Sequence, residues 1–423
     1  MEELKNKRLL LLGGGTWKNA IKRFAVEHDI TLIATGNDAS GGIFSIADEK
    51  YTINSIDAPA MKNLIKEKKI DGVYMGGSET VINIASEYLN ELGLPCYCNK
   101  MQWDFLQNKA NFKQLCIDSG LPVVPRFPIN PTNIADSVPR NAYPVITKPT
   151  DGCGSNGFSV CRNEEELVAG FYKAAADSPT QSVLCEKFVK NTGVVVFYTF
   201  SNGEVIFSGL EDKYPVKFDN HSSYVGGLFT FESKFTNDFR QRFDSKVEKM
   251  FKSIGIKEGS AWIEVFHDGN DYYFNEVGFR YGGSISIYPV DYLTGINQVA
   301  ADIYYALTGM SQLYGHTSLI PSDIERGLNY AIYPIYVGPG IISKIEGLDK
   351  LGDNIVFRTL TKPIGCRIND CGSFNQNAAV IHFVYRDDLG LKQTIETFHS
   401  NFKIYDENGN NMIIRLLDKE FVN

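Results

Sequence analysis

Residues 262–283 form the stretch that most constrains the fold, because apolar and polar residues alternate on both sides of an Asp-Gly turn. This pattern predicts a β-hairpin. With residues 268–270 as its loop, Glu264 pairs with Phe274, and Glu276 projects from the same face as Glu264. The two carboxylates then lie diagonally, roughly 7–8 Å apart at Cα, and repel each other unless a cation lies between them.

Two interpretations of this acidic pair are open. Oxygen ligands suit Mg²⁺, which usually binds one or two carboxylates and completes its shell with phosphate and water. A hairpin that presents Glu264 and Glu276 together is therefore a candidate magnesium site. The alternative is an exposed hairpin with two solvated acids, and other parts of the chain are needed to decide between them.

Length and composition restrict the class of protein. A chain of 423 residues is too long for one hydrophobic core, so about two to four domains are expected. Its 43% hydrophobic and 22% charged residues are typical of a folded soluble protein. A net charge of −8 argues against a nonspecific nucleic-acid or anionic-membrane surface. The apolar run at residues 9–12 is too short for a signal peptide or membrane span, so we expect a cytoplasmic protein without a nucleic-acid or membrane partner.

The eight cysteines show no metal-binding pattern. None belongs to a Cys-x-x-Cys pair, and Cys96 and Cys98 have no His-x₃₋₅-His motif nearby. This spacing argues against a zinc site. In a cytosolic protein such cysteines are expected to be reduced and mostly buried.

The first hundred residues alternate short apolar runs with helix-like stretches. The runs at residues 8–12 and 72–75 each end in glycines and are each followed by a predicted helix. This alternation predicts a doubly wound parallel sheet, in which glycine turns at the strand ends form the ligand crevice. The turn at residues 13–16 is not a dinucleotide fingerprint, because Lys18 stands where the last glycine is required, which argues against an oxidoreductase.

Three elements between residues 108 and 157 are suited to an anionic ligand. Lys109 begins a predicted helix, and Lys148 ends a predicted strand. A loop with glycines at 152, 154 and 157 follows directly, and glycines let backbone N–H groups approach and surround an anion. The sequence has no Gly-x₄-Gly-Lys-Ser/Thr motif, so these elements are not a P-loop.

The order of these elements, followed by a Cys-Glu-Lys-Phe-Val segment at 185–189 and the acidic hairpin with Arg280, resembles the ATP-grasp superfamily. The resemblance extends from Lys109 to Gly283. It implies α/β and α+β architecture: a doubly wound parallel sheet, two central α+β lobes and a strand-rich α+β region. The implied domains are a Rossmann-like pre-ATP-grasp domain at 1–100, a first ATP-grasp lobe at 101–183, a second lobe at 184–315 and a C-terminal domain at 316–423.

The resemblance also implies which residues bind ATP. Lys109 and Lys148 match the two phosphate lysines, and Lys213 is a further candidate for a phosphate or carboxylate contact. The implied phosphate loop includes Gly152, Gly154, Ser155 and Gly157. The implied adenine segment includes Glu186, Lys187, Phe188 and Val189. In that segment Glu186 is expected to accept a hydrogen bond from the adenine amino group, and the backbone of Lys187 and Val189 to contact the ring edge.

The metal and catalytic residues follow from the same resemblance. Glu264 and Glu276 match the carboxylates that hold Mg²⁺, with Mn²⁺ as the substitute metal, and Arg280 matches the arginine that acts with Lys148 on the transferred phosphoryl group.

Two positions depart from the superfamily pattern. Residues 191–193 lack the acid that many relatives use to hold the ribose. Gly278 stands where the metal-binding strand usually has an asparagine, and Asn275 is expected to point away from the face of Glu276.

These features predict an ATP-dependent carboxylate–amine ligase. It would form an acyl phosphate and ADP from an amino acid or similar small carboxylate, and an amine would then attack to give an amide. A bicarbonate-dependent ATP-grasp enzyme that passes carboxyphosphate to an amine is the alternative. The third hypothesis, a regulatory nucleotide-binding module, is disfavoured by the complete Glu–Glu–Arg set. The expected partners are small carboxylate and amine substrates, and the resemblance allows a homodimer.

Overall fold

The computed structural model describes residues 2–37, 42–151, 157–190, 193–219, 221 and 224–417. Within these residues the helices and strands belong to three main sheets and the layers that cover them. The α-helices are α1 (Lys18–Glu27), α2 (Ala58–Glu67), α3 (Glu79–Leu92), α4 (Lys100–Gln107), α5 (Lys109–Asp118), α6 (Glu164–Ala176), α7 (Thr236–Ser253), α8 (Ile287–Thr294), α9 (Gln298–Thr308) and α10 (Asp388–Asn401). Every helix of the described ranges is too short or too polar to cross a membrane.

The strands are short at both ends of the chain and longest in its centre. They are β1 (Arg8–Leu11), β2 (Thr31–Thr35), β3 (Glu49–Tyr51), β4 (Gly72–Tyr74), β5 (Val145–Pro149), β6 (Ser159–Cys161), β7 (Val183–Lys187), β8 (Val194–Ser201), β9 (Glu204–Lys217), β10 (Tyr224–Phe231), β11 (Gly259–His267), β12 (Tyr272–Gly278), β13 (Asn329–Val337), β14 (Gly340–Ile341), β15 (Lys344–Glu346), β16 (Ile355–Leu360), β17 (Arg367–Ile368), β18 (Asn377–Tyr385), β19 (Lys403–Tyr405) and β20 (Ile413–Ile414).

The N-terminal sheet is parallel, in the order β3-β2-β1-β4, as its alternating pattern predicts. Successive residues of β1 point to opposite faces and pack against different helices. Leu10 belongs to the same apolar cluster as Leu64 of α2 and Ile82 of α3. Leu9 belongs with Ile21 of α1 to a second cluster. Helices therefore cover both faces, which confirms the predicted doubly wound arrangement.

The N-terminal sheet packs closely against helix α9 from the centre of the chain. A Cβ added at Gly72 would lie 2.2 Å from the carbonyl oxygen of Ala306, so β4 can approach the helix only with glycine at this position. The contact joins the N-terminal sheet to the region that holds the acidic hairpin.

The central part of the chain forms two antiparallel sheets. The smaller has the order β6-β5-β7, and α6 packs on it. The larger has the order β12-β11-β8-β9-β10-β13-β18-β16, with β20 beside β13. Because β10 pairs with β13, the strands after residue 316 continue the sheet of the second predicted lobe. The two-stranded sheets β14-β17 and β15-β19 lie outside it. This mixed architecture confirms the predicted fold class.

The turn of the acidic hairpin differs from the prediction. Residues 268–271 form the loop between β11 and β12, one residue longer than expected. His267 therefore pairs with Tyr272, and the predicted pairing of His267 with Asp271 is wrong. The Asp271 backbone instead closes the turn. Its carbonyl accepts from the Asp268 N–H at 3.2 Å, and its N–H donates to the Asp268 carboxylate at 2.9 Å.

A β-bulge changes the pairing again at the acidic residues. Val265 pairs with Phe274, whereas Glu264 pairs directly with Glu276, so Asn275 is the extra residue on its strand. The predicted pairing of Glu264 with Phe274 is therefore wrong. The bulge brings the two carboxylates directly opposite each other rather than diagonal, and it frees the side chain of Asn275 to turn toward Glu264.

Candidate active site

Glu264 is held by a lysine and an amide. Lys213 Nζ lies 2.9 Å from Glu264 Oε1, and Asn275 Nδ2 donates to Glu264 Oε2 at 2.7 Å. Burial raises the pKa of Glu264, but the Lys213 ammonium and the Asn275 amide outweigh this effect and hold the pKa below its ordinary value. Glu264 is therefore ionised at neutral pH. The expectation that Asn275 points away from this site is wrong because of the bulge.

Glu276, on the opposite strand, faces the first predicted phosphate lysine. Lys109 Nζ lies 3.6 Å from Glu276 Oε2. Lys109 begins α5, where the Asn108 side chain caps the helix by accepting from two backbone N–H groups. The cap fixes the first turn of α5 and so sets the position from which Lys109 reaches the acidic hairpin.

Lys148 connects the predicted adenine segment to the acidic hairpin. Its Nζ lies 2.8 Å from Glu186 Oε2 and donates to Asn275 Oδ1 at 2.9 Å. Since Asn275 also donates to Glu264, one polar network extends from Glu186 through Lys148 and Asn275 to Glu264 and Lys213. The structure thus brings five charged or polar groups from five strands into contact.

Lys113 belongs to this network, although no motif in the sequence marks it. It is 0% exposed, and its Nζ lies 2.5 Å from Glu186 Oε1. Burial and the neighbouring Lys148 lower the pKa of Lys113 to about 8, against the opposing effect of Glu186. Burial raises the pKa of Glu186, but both lysines outweigh it and keep this carboxyl ionised. The available signal is spacing, because Lys109 and Lys113 are four residues apart on one helix and share a face.

The predicted adenine segment, residues 185–189, begins within strand β7 and lines a mostly apolar cavity of about 380 Å³. Ile146, Phe188 and Phe266 are among its walls. Glu186 is fully buried behind them, with both carboxylate oxygens facing lysines. The backbone N–H of Lys187 donates to the Pro125 carbonyl at 2.9 Å, so this group is already used within the protein. A flat ring between apolar walls suits a cavity of this size, and the contacts predicted for adenine remain predictions.

A second cavity of about 560 Å³ lies on the other side of Lys213. The residues that both cavities share are Lys213, Tyr224, Val225 and Glu264. Glu276, Arg280, Gly282 and Gly283 line the second cavity only. The candidate phosphate-transfer position is therefore the junction of the two cavities, between the predicted adenine side and an acceptor side.

Arg280 is held in the second cavity by the N-terminal domain. Its Nε and Nη2 donate to the Glu79 carboxylate at 3.0 and 2.7 Å, and its guanidinium lies 5.3 Å from the ring centre of Trp262. Glu79 begins helix α3, directly after a glycine turn at the end of β4. Neither Glu79 nor Trp262 is predicted from the superfamily pattern, because each acts through Arg280.

Trp262 also explains the glycine at position 278. A Cβ added at Gly278 would lie 2.2 Å from the indole Nε1 of Trp262. The indole therefore occupies the space in which an asparagine side chain would stand. The departure from the superfamily pattern is a change of packing on the hairpin, and it leaves Glu264 and Glu276 in place.

The predicted phosphate loop lies mostly outside the described residues. Gly152, Gly154 and Ser155 belong to the part that the structure does not describe, as do residues 191 and 192 of the ribose position. Gly157 is described and buried, with a positive φ of 70°, and a Cβ there would lie 2.8 Å from Pro149 Cγ. Glycine is therefore required where this loop re-enters the first lobe.

Comparison with known proteins agrees with this arrangement. The family model described as the ATP-binding domain of the carbamoyl-phosphate synthase L chain matches residues 108–202. The carbamoyl phosphate synthase large chain of Pyrococcus furiosus is 21% identical over 95% of this chain and 37% of its own length. The pyruvate carboxylase of Staphylococcus aureus is 24% identical over 77% of this chain and 30% of its own length. The chain thus spans about a third of the length of these two curated relatives.

Solved structures resemble the chain over nearly its whole length. Biotin carboxylase from Campylobacter jejuni has a TM-score of 0.75 at 17% identity, covering 97% of this chain and 94% of that one. L-amino acid ligase from Bacillus licheniformis has a TM-score of 0.74 at 18% identity, with coverages of 96% and 100%. Phosphoribosylglycinamide synthetase from Anaerococcus prevotii has a TM-score of 0.73 at 18% identity, with coverages of 95% and 100%.

The two antiparallel sheets carry the two cavities and the lysine–carboxylate network, and the parallel N-terminal sheet packs beside them. The chain thus has the ATP-grasp fold of these solved structures, and its residues 108–202 match the ATP-binding domain model.

Proposed function

We propose that the chain is an ADP-forming carboxylate–amine ligase that activates an organic acid as an acyl phosphate. The observation that supports this most directly is the meeting of two cavities at Lys213 and Glu264. One cavity has the size and apolar walls that suit adenosine, and the other places an acceptor beside Arg280. ATP bound across the junction would present its γ-phosphate to that acceptor.

The donor set at the junction fits magnesium. Two ionisable carboxylates stand directly opposite each other, and their charges are balanced here by Lys213 and Lys109. Among the described residues no group of three or more His, Cys, Asp and Glu side chains could hold a metal ion. Two carboxylates are sufficient for Mg²⁺, because substrate phosphates and water supply its other ligands. Glu264 and Glu276 would hold the ion, which would neutralise phosphate charge when bound.

The remaining charged side chains position the phosphates. Lys109 and Lys148 would contact them from α5 and β5, with Lys213 at the junction, and Arg280 would stabilise the transferred phosphoryl group. These cations balance roughly three to four negative charges on the triphosphate and acceptor. A carboxylate oxygen of the acceptor attacks the γ-phosphorus. The bond from this phosphorus to the β–γ bridging oxygen breaks, and ADP leaves with the electron pair of that bond. An amine then attacks the acyl carbon, loses a proton, and expels phosphate, which keeps the carboxylate oxygen that had attacked phosphorus.

The second candidate is a bicarbonate-dependent enzyme, since pyruvate carboxylase, biotin carboxylase and carbamoyl phosphate synthase are among the relatives. The acceptor cavity favours the first candidate. Its volume of about 560 Å³ exceeds what an ion of four heavy atoms fills, and Phe197, Phe229 and Trp262 give it an apolar wall. A homodimer is proposed by analogy with the carboxylase domain dimer among the structural neighbours.

A screen of ADP release tests this function. The purified protein is supplied with Mg-ATP and with amino acids singly and in pairs, each with and without bicarbonate. We expect release of ADP that requires an organic carboxylate and is unchanged by bicarbonate. Release that occurs only with bicarbonate would replace this function by the second candidate, and release of AMP would exclude both.

A further inference from the structure

One buried carboxyl group in the acceptor cavity forms no ion pair with any side chain that the structure describes. Glu211 on β9 is 2% exposed and lines the cavity. Its neighbour across the sheet is Val195 of β8, which pairs in turn with Glu264 of β11 and so with Glu276. Four adjacent strands therefore present Glu276, Glu264, Val195 and Glu211 in one row. Glu211 is the third acid of that row and lies two strands away from Glu264.

The surroundings of Glu211 differ from those of the other two acids. Lys213 pairs with Glu264 and Lys109 lies beside Glu276, whereas no ion pair to Glu211 exists among the described side chains. Ser284 Oγ donates to Glu211 Oε2 at 3.1 Å. Burial raises the pKa of Glu211 to about 8, although the Ser284 hydrogen bond and the more distant Lys213 oppose this effect. The ionised form of a carboxyl group so buried is costly, and a positively charged group on a ligand would offset that cost.

The walls next to Glu211 are apolar. Val195, Phe197, Phe229, Trp262 and Ile332 line the cavity beyond it. Burial of an uncharged hydrocarbon body of a ligand against these side chains makes the free energy of binding more favourable. A ligand with a charged side chain would lose the hydration of that charge there. The cavity thus combines two cations near the phosphate junction, one unpaired carboxyl group and an apolar surface.

From these contacts we propose, on the basis of the ligase function above, that the acceptor is an amino acid with an apolar side chain, whose ammonium group binds Glu211. Lys213 lies two residues from Glu211 on the same face of β9, about 7 Å away at Cα. A carboxylate near Lys213 and Arg280 and an ammonium group at Glu211 fit this separation, and the side chain then lies against Phe197 and Trp262. Glu211 is a binding residue in this proposal, and Ser284 positions its carboxyl group.

The experiment compares pairs of acids that differ only in the amino group. Leucine and 4-methylpentanoate share a hydrocarbon body, as do methionine and 4-(methylthio)butanoate. ADP release from Mg-ATP is measured for each acid with the wild-type protein and with Glu211→Gln, which keeps the shape of the side chain but removes its charge. Thermal unfolding and the KM for ATP report whether the variant is folded and binds nucleotide. Aspartate and lysine test the requirement for an apolar side chain.

We expect the wild-type kcat/KM for the amino acids to exceed that for the deaminated acids by about 30- to 100-fold, the effect of losing one buried charged hydrogen bond. Glu211→Gln should remove this preference and leave the KM for ATP within about threefold. Equal use of both members of a pair by the wild type, or preference for aspartate or lysine, would overturn the inference while leaving the ligase function intact. ADP release with bicarbonate alone would instead refute the ligase function. The wild-type comparison decides the proposal even if the variant does not fold.

Discussion

Replacing Glu276 by alanine is expected to abolish ADP formation while the protein stays folded. Glu276 is partly exposed in the acceptor cavity, directly opposite Glu264, and Lys109 is its only ion-pair partner among the described residues. Its loss removes half of the proposed magnesium donor set and the ion pair with Lys109. The rate should fall at least on the order of 10²–10³-fold, as for other preorganised charge partners.

Asp271 provides a matched control for this variant. It lies in the loop of the same hairpin, pairs with Arg242 at 3.2 Å and is remote from both cavities. Asp271→Ala should therefore keep wild-type turnover. Wild-type turnover of Glu276→Ala at saturating magnesium would refute the assignment of the metal pair.

Replacing Lys113 by methionine should cause the largest loss of stability. Lys113 and Lys148 each contact one oxygen of the fully buried Glu186, and removal of Lys113 leaves Oε1 without its ion-pair partner. Such losses are about 3–5 kcal/mol, and because Lys148 remains we expect roughly 2–4 kcal/mol in the free energy of unfolding. Chemical denaturation at pH 7 measures this quantity.

A double variant separates charge from packing at this site. Lys113→Met combined with Glu186→Gln removes both members of the pair but also takes from Lys148 its carboxylate partner, so only part of the lost stability should return. The exposed pair of Lys62 and Glu91, 2.8 Å apart, is the control, and Lys62→Met should cost less than about 1 kcal/mol. If Lys113→Met is as stable as the wild type, the buried ion pair between Lys113 and Glu186 does not stabilise the fold.

The fold was largely predictable from sequence because its strongest signals are local. Alternation of apolar runs, glycines and helical stretches predicts the N-terminal parallel sheet, and the residue types of the acidic hairpin predict two facing carboxylates. The register was not predictable in the same way. A bulge at Asn275 shifts the pairing by one residue, and a bulge depends on contacts with Lys148 and Glu264 that the strand sequence does not contain.

Residues of the candidate site that belong to a recognisable motif were predictable from the sequence. Residues that contribute through burial or by positioning another side chain were not. Lys113 has no motif of its own, and its importance follows from burial beside Glu186. Glu79 comes from a different domain and reaches Arg280 only in the folded chain. Glu211 lies in a strand whose alternation is ordinary, and only the pairing of four strands shows that it shares a row with the metal pair.

The fate of the acceptor oxygen tests the proposed chemistry most directly. An acid labelled with ¹⁸O in its carboxylate is incubated with the protein, Mg-ATP and an amine, and the phosphate and nucleotide products are analysed by mass spectrometry. Attack of the carboxylate on the γ-phosphorus predicts ADP together with phosphate that contains one ¹⁸O atom. Label in AMP would contradict the acyl-phosphate route, and label that reaches phosphate only from ¹⁸O-bicarbonate would identify bicarbonate as the acceptor.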